Sequence, residues 1–239
     1  MLKNIPLNPR ILEPFFRMKP LHSWNISVEE AIQIQRALKR RIILKKTFSK
    51  IKTIGGGDVA YSKSEDLLFG AIVVLSFPDM EILDTATSDG KIPFPYIPTL
   101  LSFREGPVLT KTFLRLKIKP DVMIFDGQGI AHPRGMGLAS HMGLWFNLPS
   151  IGCAKTPLLD QFISPGPSRG SFNWIRREGK KVGAVLRTKD NVKPLFVSPG
   201  HRIDLMTSIH LTLESCKGFR IPEPLRKAHQ ASRNMLQSA

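Results

Sequence analysis

The sequence predicts an α/β fold: a mixed sheet in which an antiparallel meander leads into parallel strands, with helices on its flanks. Three β-rich runs, at 54–61, 67–77 and 80–87, follow one another with only polar or Pro/Asp turns between them, as in a meander. Short apolar runs at 121–125 and 150–154 then alternate with helical patterns, which is how parallel strands announce themselves. The 239 residues, 42% of them hydrophobic, are enough to bury a sizeable core around such a sheet.

Residues 1–26 carry Pro6, Pro9, Pro14 and Pro20 without a sustained period, and read as an irregular N-terminal extension ahead of a single domain at 27–239. Ser27 followed by Glu30 is a capping-box pattern. Behind it Ala31, Ile32, Gln35, Leu38 and Ile42 recur at helical spacing, with Arg36, Lys39, Arg40 and Arg41 among them: an amphipathic helix with a basic face. After the meander, Pro93-Phe94-Pro95-Tyr96-Ile97-Pro98 is too proline-rich for a central strand. Pro98 suits the first turn of a helix running to about residue 116. Gly127 and Gly129 end the strand at 121–125, 135–146 reads as a helix, and 150–154 as another short strand. From about 157 to 181 the chain is Gly/Ser/Pro-rich and basic, the composition of surface loops. Residues 182–188 and 195–197 pattern as a β-hairpin, and 203–216 and 224–236 as closing helices. This order fits the ribonuclease H-like architecture, among others.

Lys and Arg total 35 against 19 Asp and Glu, a net charge of +16 with a pI near 10.2. Such a surplus attracts polyanions. Nucleic acid is the obvious one, although an acidic membrane surface responds to the same field and plain solubility charge is the bland reading. Cys153 and Cys216 are far apart, with no CxxC pair or Cys/His cluster, so neither zinc nor a disulfide scaffold is indicated. Reduced thiols in a cytoplasmic protein are expected. No long apolar run follows the charges of residues 1–14, which excludes a signal peptide, and the longest apolar stretch, 67–75, is too short to span a bilayer.

Asp58 follows Gly55-Gly56-Gly57 and opens Asp-Val-Ala-Tyr inside an apolar strand, and Asp126 ends Val-Met-Ile-Phe. A carboxylate in a hydrophobic strand is costly unless it is paired or bound to a cation, and strand ends in α/β sheets are where ligands collect. Glu105, beside Arg104, lies on the helix between them. Two or three carboxylates converging from strand and helix suit Mg²⁺. Taken singly, each acid also reads as a turn cap or an ion-pair partner. The glycine triplet is no phosphate loop, because it lacks the Lys-Ser/Thr ending and precedes a strand. The densest signal is Asp126-Gly-Gln-Gly-Ile-Ala-His132-Pro-Arg-Gly-Met-Gly-Leu-Ala-Ser-His141, where glycines that admit a ligand to the backbone alternate with Gln, His and Arg.

That run resembles the signature loop of endonuclease V. Asp58-Val-Ala-Tyr61, Pro95-Tyr96-Ile97-Pro98, Phe103-Arg104-Glu105, Gly152-Cys-Ala-Lys155, Ser198-Pro-Gly-His201-Arg-Ile-Asp and Pro222-Glu-Pro-Leu-Arg-Lys-Ala-His229 are similar to the same family in the same order, over roughly residues 28–236. The resemblance implies a ribonuclease H-like fold and a Mg²⁺-dependent endonuclease of DNA repair, with Mn²⁺ as the alternative ion. The implied cut is at the second phosphodiester 3′ to deoxyinosine, leaving 3′-hydroxyl and 5′-phosphate ends. It implies Asp58 and Asp126 as direct metal ligands, Glu105 and His229 completing the metal-proximal set, and Lys155 beside the scissile phosphate. Tyr96, with Pro95, Ile97 and Pro98, matches the family's strand-separating wedge. Gly127, Gln128, Gly129, Ile130 and His132 are expected around the lesion base, with Arg104, His141 and His201 in support. Expected partners are DNA with deoxyinosine or other deaminated bases, with inosine-containing RNA as the alternative substrate; no membrane is expected, and a monomer is. Two other readings remain: a non-catalytic nucleic-acid-binding protein of the same fold, and the nuclease half of an excision-repair protein, which the Tyr96 and 126–141 motifs fit poorly.

Overall fold

The computed structural model of the protein describes residues 19–62 and 65–239. Along the chain run α1 (Val28–Lys39), β1 (Thr53–Tyr61), β2 (Leu67–Ser76), β3 (Ile82–Lys91), α2 (Leu101–Phe113), β4 (Val122–Phe125), α3 (Leu138–Phe146), β5 (Ser150–Ala154), β6 (Phe172–Arg177), β7 (Lys180–Leu186), β8 (Leu195–His201), α4 (Leu205–Glu214) and α5 (Glu223–Gln237). The strands form one sheet in the order β3-β2-β1-β4-β5-β8-β7-β6. β1, β2 and β3 are the antiparallel meander. β4 joins β1 in parallel, β5 joins β4 in parallel, and β8, β7 and β6 continue antiparallel to the far edge. This is the ribonuclease H-like mixed sheet with helices on both faces.

Burial on both faces explains the continuous apolar strands. Val122 and Ile124 of β4 pack with Ile209 and Leu211 of α4 and Leu225 and Ala228 of α5. The alternate residues Met123 and Phe125 pack on the other side with Leu109 and Phe113 of α2 and Met142 and Trp145 of α3. A strand covered by helices on both faces has no solvent side and hence no polar alternation. β3, at the edge, does have one, and Ile82 and Leu83 stand exposed.

The capping box holds: Ser27 Oγ accepts from Glu30 N–H at 3.2 Å, and the Glu30 carboxylate accepts from Ser27 N–H at 2.7 Å. α1 buries Ala31, Gln35 and Leu38 and turns Arg36 and Lys39 outward. Residues 19–26 form no helix or strand, and Leu21 and Trp24 pack against the α2–α3 side of the core. The remainder of the expected extension, 1–18, lies outside the described residues. Cys153 and Cys216 are buried and free.

Several boundaries depart from the sequence pattern. β3 begins at Ile82 and runs on to Lys91, because its polar second half pairs fully with β2. Pro98 does not start the helix; it sits in a turn, and α2 begins at Leu101. α3 begins at Leu138 rather than 135, after an extended Gly137. The stretch read as loops contains β6, whose partly exposed residues, Arg176 and Arg177 among them, disguise a strand that pairs with β7. Among the described residues no helix is long and apolar enough to cross a membrane.

Candidate active site

Three adjacent strands deliver charged groups to one end of the sheet. Gly57 of β1 is in register with Phe125 of β4, and Phe125 with Gly152 of β5. Asp58 and Asp126, each the next residue along, therefore arrive side by side, and Lys155 follows at the end of β5. The parallel run of β1, β4 and β5 thus ends in two carboxylates and an ammonium, at the carboxyl ends of strands where α/β sheets collect ligands. The Lys155 ammonium is ion-paired with Asp126 Oδ2. Burial pulls the Lys155 ammonium down, but the Asp126 charge and hydrogen bond outweigh it and raise it overall.

The last helix completes the surroundings of Asp58. Its Oδ2 accepts from Ser232 Oγ at 2.8 Å and from His229 Nδ1 at 3.1 Å. α5 comes this close because Gly56 has no side chain: a Cβ there would lie 2.1 Å from the Pro224 carbonyl oxygen. Gly56 is thus the docking point for the N-terminal turn of α5, while Gly55 and Gly57 make room on the other face for Met123 and Phe125. Burial raises the Asp58 carboxyl, and the neighbouring Asp126 charge adds to this, while Ser232 and His229 pull the other way.

Glu105 reaches the same place from α2 and is 7% exposed. Burial pushes its carboxyl up to about 8; Tyr61 opposes the shift through a hydrogen bond, and the Asp58 and Asp126 charges reinforce it. The Tyr61 hydroxyl donates to Glu105 Oε1 at 2.5 Å, and burial raises the phenol. Asp58, Glu105, Asp126 and Lys155 all line one cavity of about 500 Å³, together with Tyr61, Tyr96, Gln128 and Thr156. Among the described residues no three acids, histidines or cysteines already converge at metal-ligand spacing. The donor set nonetheless suits a hard divalent cation: burial raises the Asp58 and Glu105 carboxyls, the Asp126 charge adds to both, and the cavity sets three acids against one lysine.

The other expected residues divide by position. Tyr96, Ile97 and Pro98 line the cavity, Tyr96 with 68% exposure. Pro95 is exposed outside the lining. Gly127, Gln128 and His132 line the cavity from the 127–137 loop. Gln128 Nε2 donates to the Thr156 carbonyl at 2.9 Å, while its buried Oε1 has no partner. Gly129 and Ile130 instead tie the loop to β8, donating to Ser198 Oγ at 2.8 Å and the Pro199 carbonyl at 2.9 Å. Both ring nitrogens of His132 are engaged: Nε2 donates to the Thr99 carbonyl at 2.9 Å and Nδ1 accepts from Arg134 N–H at 3.1 Å. Burial pulls its imidazole down to about 4. His141 lies behind the site, bonded to Ser102 Oγ at 2.8 Å and His22 Nε2 at 2.7 Å, and burial takes it to about 3. His201 accepts from Ile43 N–H at 3.2 Å, and burial lowers it to about 4. These histidines sit as neutral struts. Arg104 donates to the Phe94 carbonyl at 2.7 Å and lies over the Tyr61 ring.

The family model for endonuclease V matches residues 36–230, most of the chain. The chain belongs to the endonuclease V family. It is 48% identical over 211 residues to the endonuclease V of Dictyoglomus thermophilum, covering 88% of this chain and 92% of that one. The crystal structure of endonuclease V from Streptomyces avermitilis superposes with a TM-score of 0.86 at 39% identity, covering 90% and 96%. A Ciona intestinalis endonuclease V, crystallised with a 23mer DNA containing an inosine followed by a ribo-adenosine, superposes at 0.79 with 31% identity, covering 89% and 99%. Within this endonuclease V framework the sequence motifs missed Ser232 and Tyr61 as direct partners of the carboxylates. Ser232 sits one turn beyond His229 on the same helical face, a spacing that offers the only sequence signal for it.

Proposed function

We propose that the protein is a divalent-cation-dependent endonuclease of DNA repair that hydrolyses the second phosphodiester bond 3′ to deoxyinosine, leaving 3′-hydroxyl and 5′-phosphate ends. The observation that carries this reading is the placement of Asp58, Glu105, Asp126 and Lys155 on one cavity that also holds the exposed Tyr96. Asp58, Asp126 and Glu105 would hold Mg²⁺, with Mn²⁺ as the alternative. Bound there, the ion supplies Lewis acidity toward the phosphate and makes a water more acidic.

The chain's own residues do the rest. His229 gives its Nδ1 proton to the bond with Asp58, which leaves Nε2 to take or give a proton at the reacting water or leaving oxygen. Lys155 offsets the charge that develops on the phosphate. Tyr96, stiffened by Pro95 and Pro98, stacks where the lesion base has been extruded. Discrimination comes from the base edge: hypoxanthine carries a carbonyl acceptor where adenine carries an amino donor, so a backbone N–H of the lining favours inosine. Burying that mismatch disfavours adenine by about 1–3 kcal/mol.

Inosine in RNA is the second substrate reading, favoured by the ribo-adenosine that follows inosine in the nucleic acid bound to the Ciona relative. One chain contributes the whole residue set, which is the support for a monomer as the acting unit. Its buried free thiols suit the reducing cytoplasm. The test is incubation of the protein and Mg²⁺ with end-labelled DNA and RNA strands carrying one inosine, beside adenine-only strands and the Asp126→Ala variant. A single nick one nucleotide beyond the inosine, lost in the variant, is expected. Tight binding with every strand uncut would overturn the reading in favour of a non-catalytic binding protein.

A further inference from the structure

The segment carrying Tyr96 ends in a turn that should not tolerate its own sequence. Leu100 N–H donates to the Ile97 carbonyl at 3.0 Å, closing a four-residue turn with Pro98 and Thr99 at its centre. Thr99 has φ +75°, the left-handed region. A turn with proline second and a positive φ third favours glycine in the third seat, and a β-branched side chain there is an outlier. Backbone strain of this kind persists only where surrounding contacts over-determine it.

Those contacts are present, and they come from two other parts of the chain. Gln35 of α1, fully buried, donates from Nε2 to the Thr99 carbonyl at 2.9 Å and to the Met136 carbonyl at 3.0 Å. His132 and Arg134 of the 127–137 loop donate to the same Thr99 carbonyl at 2.9 and 3.1 Å. Arg134 also bonds Thr99 Oγ1, and its Nε donates to Gln35 Oε1 at 2.5 Å. Three donors converge on one carbonyl, and the hydroxyl that a glycine would lack is used as well.

We propose that Gln35 and Arg134 are positioning residues that clamp the strained Thr99 turn to the 127–137 loop, so that the Tyr96 segment and the loop lining the base cavity move as one rigid unit. Neither residue touches the reacting atoms. Their work is to fix where Tyr96 stands relative to Gln128 when a base leaves the stack, a geometric demand that rests on the wedge and base-pocket reading above. The strain marks the position as functional: threonine gives up backbone comfort to present Oγ1 to Arg134.

The test uses the full chain and a duplex carrying deoxyinosine with 2-aminopurine beside it, whose fluorescence rises on unstacking. Binding and unstacking are read without metal, and cleavage with Mg²⁺. Thr99→Gly accepts the turn's φ freely, so it keeps the fold; Arg134→Lys keeps the charge but not the guanidinium fork; Gln35→Leu removes the amide. Thr99→Gly and Arg134→Lys are expected to melt near the wild-type temperature and to leave affinity for the inosine duplex and KM little changed, while fluorescence rise and kcat fall about tenfold. Variants that unstack and cut like the wild type would overturn the clamp and leave the proposed function standing. Losses that merely track a lower melting temperature would make the network structural and overturn it too. A wild type that neither unstacks nor cuts the inosine strand would instead overturn the functional reading beneath it.

Discussion

The Lys155 ammonium is ion-paired with Asp126, one of the carboxylates best placed to hold a cation. A cation held by Asp126 would therefore compete with the lysine for the same oxygen. Because the pair is partly exposed, with 47% and 25% of the two side chains accessible, its worth is small, about 0.2–1 kcal/mol. Lys155→Ala is expected to bind Mn²⁺ slightly more tightly, by about threefold at most, yet to cut about 10²–10³-fold more slowly. Calorimetric titration beside single-turnover cleavage separates the two effects; weaker metal binding in the variant would disprove the competition.

Glu105 makes the metal-free protein sensitive to alkali. Its carboxyl, held near 8 in the fold by burial, has an ordinary value of 4.5 when exposed. Between those values the folded chain holds a proton that the unfolded chain has released, so stability must fall as pH rises through this window. Melting curves in EDTA from about pH 5 to about pH 8.5 should show a decline that Glu105→Gln removes. Mg²⁺ should flatten it too, because the ion displaces the proton. An identical slope in wild type and variant would refute the buried acid.

Ser232 holds Asp58 from outside any metal coordination. Ser232→Ala deletes a hydrogen bond to the charged form, so the Asp58 carboxyl should become still harder to ionise. Loss of an outer partner of a ligand typically weakens metal affinity about 10–100-fold. A Mn²⁺ titration of the variant should show this with an unchanged fold by circular dichroism; wild-type affinity would relegate the serine to packing.

Gly56 is expected to be intolerant of one methyl group. Gly56→Ala sets a Cβ against the backbone of Pro224 and Leu225, which cannot rotate away. The loss should reach about 3 kcal/mol, a large value for so small a change. Gly90→Ala, whose Cβ would meet Val108 at an ordinary 3.8 Å, should stay within about 0.5 kcal/mol. Chemical denaturation of both variants decides; equal effects would mean that α5 yields.

The legibility of this molecule in its sequence follows from what each signal depends on. The meander, the buried β4 and the capping box are local patterns, and all three are present, with the bounds of the meander's third strand moved. Asp58 and Asp126 stood out as acids in apolar strands, but their side-by-side arrival depends on the β1–β4 register, which no local pattern carries. β6 was hidden because a half-exposed strand with arginines looks like a loop. Pro98 fits a helix start by propensity, yet the hydrogen bonds onto Thr99 hold the chain in a turn for two more residues. Gln35 read as one more residue of a helical stripe; only the three-dimensional structure reveals that its amide spans to residues 64 and 101 positions away. Of the expected lining of the base cavity, Gly129 and Ile130 proved to be tethers, because a glycine's freedom to approach backbone does not say which backbone it approaches.

The bonds from α5 to Asp58 span 171 and 174 residues of chain. During synthesis, the strand bearing that first carboxylate leaves the ribosome long before the helix that steadies it. A chain released early, or clipped before its final helix, carries both strand aspartates but not His229 or Ser232. Such a fragment lacks both hydrogen bonds that α5 makes to Asp58, which leaves that carboxylate held by its strand alone. The helix translated last thus completes the surroundings of an acid translated early.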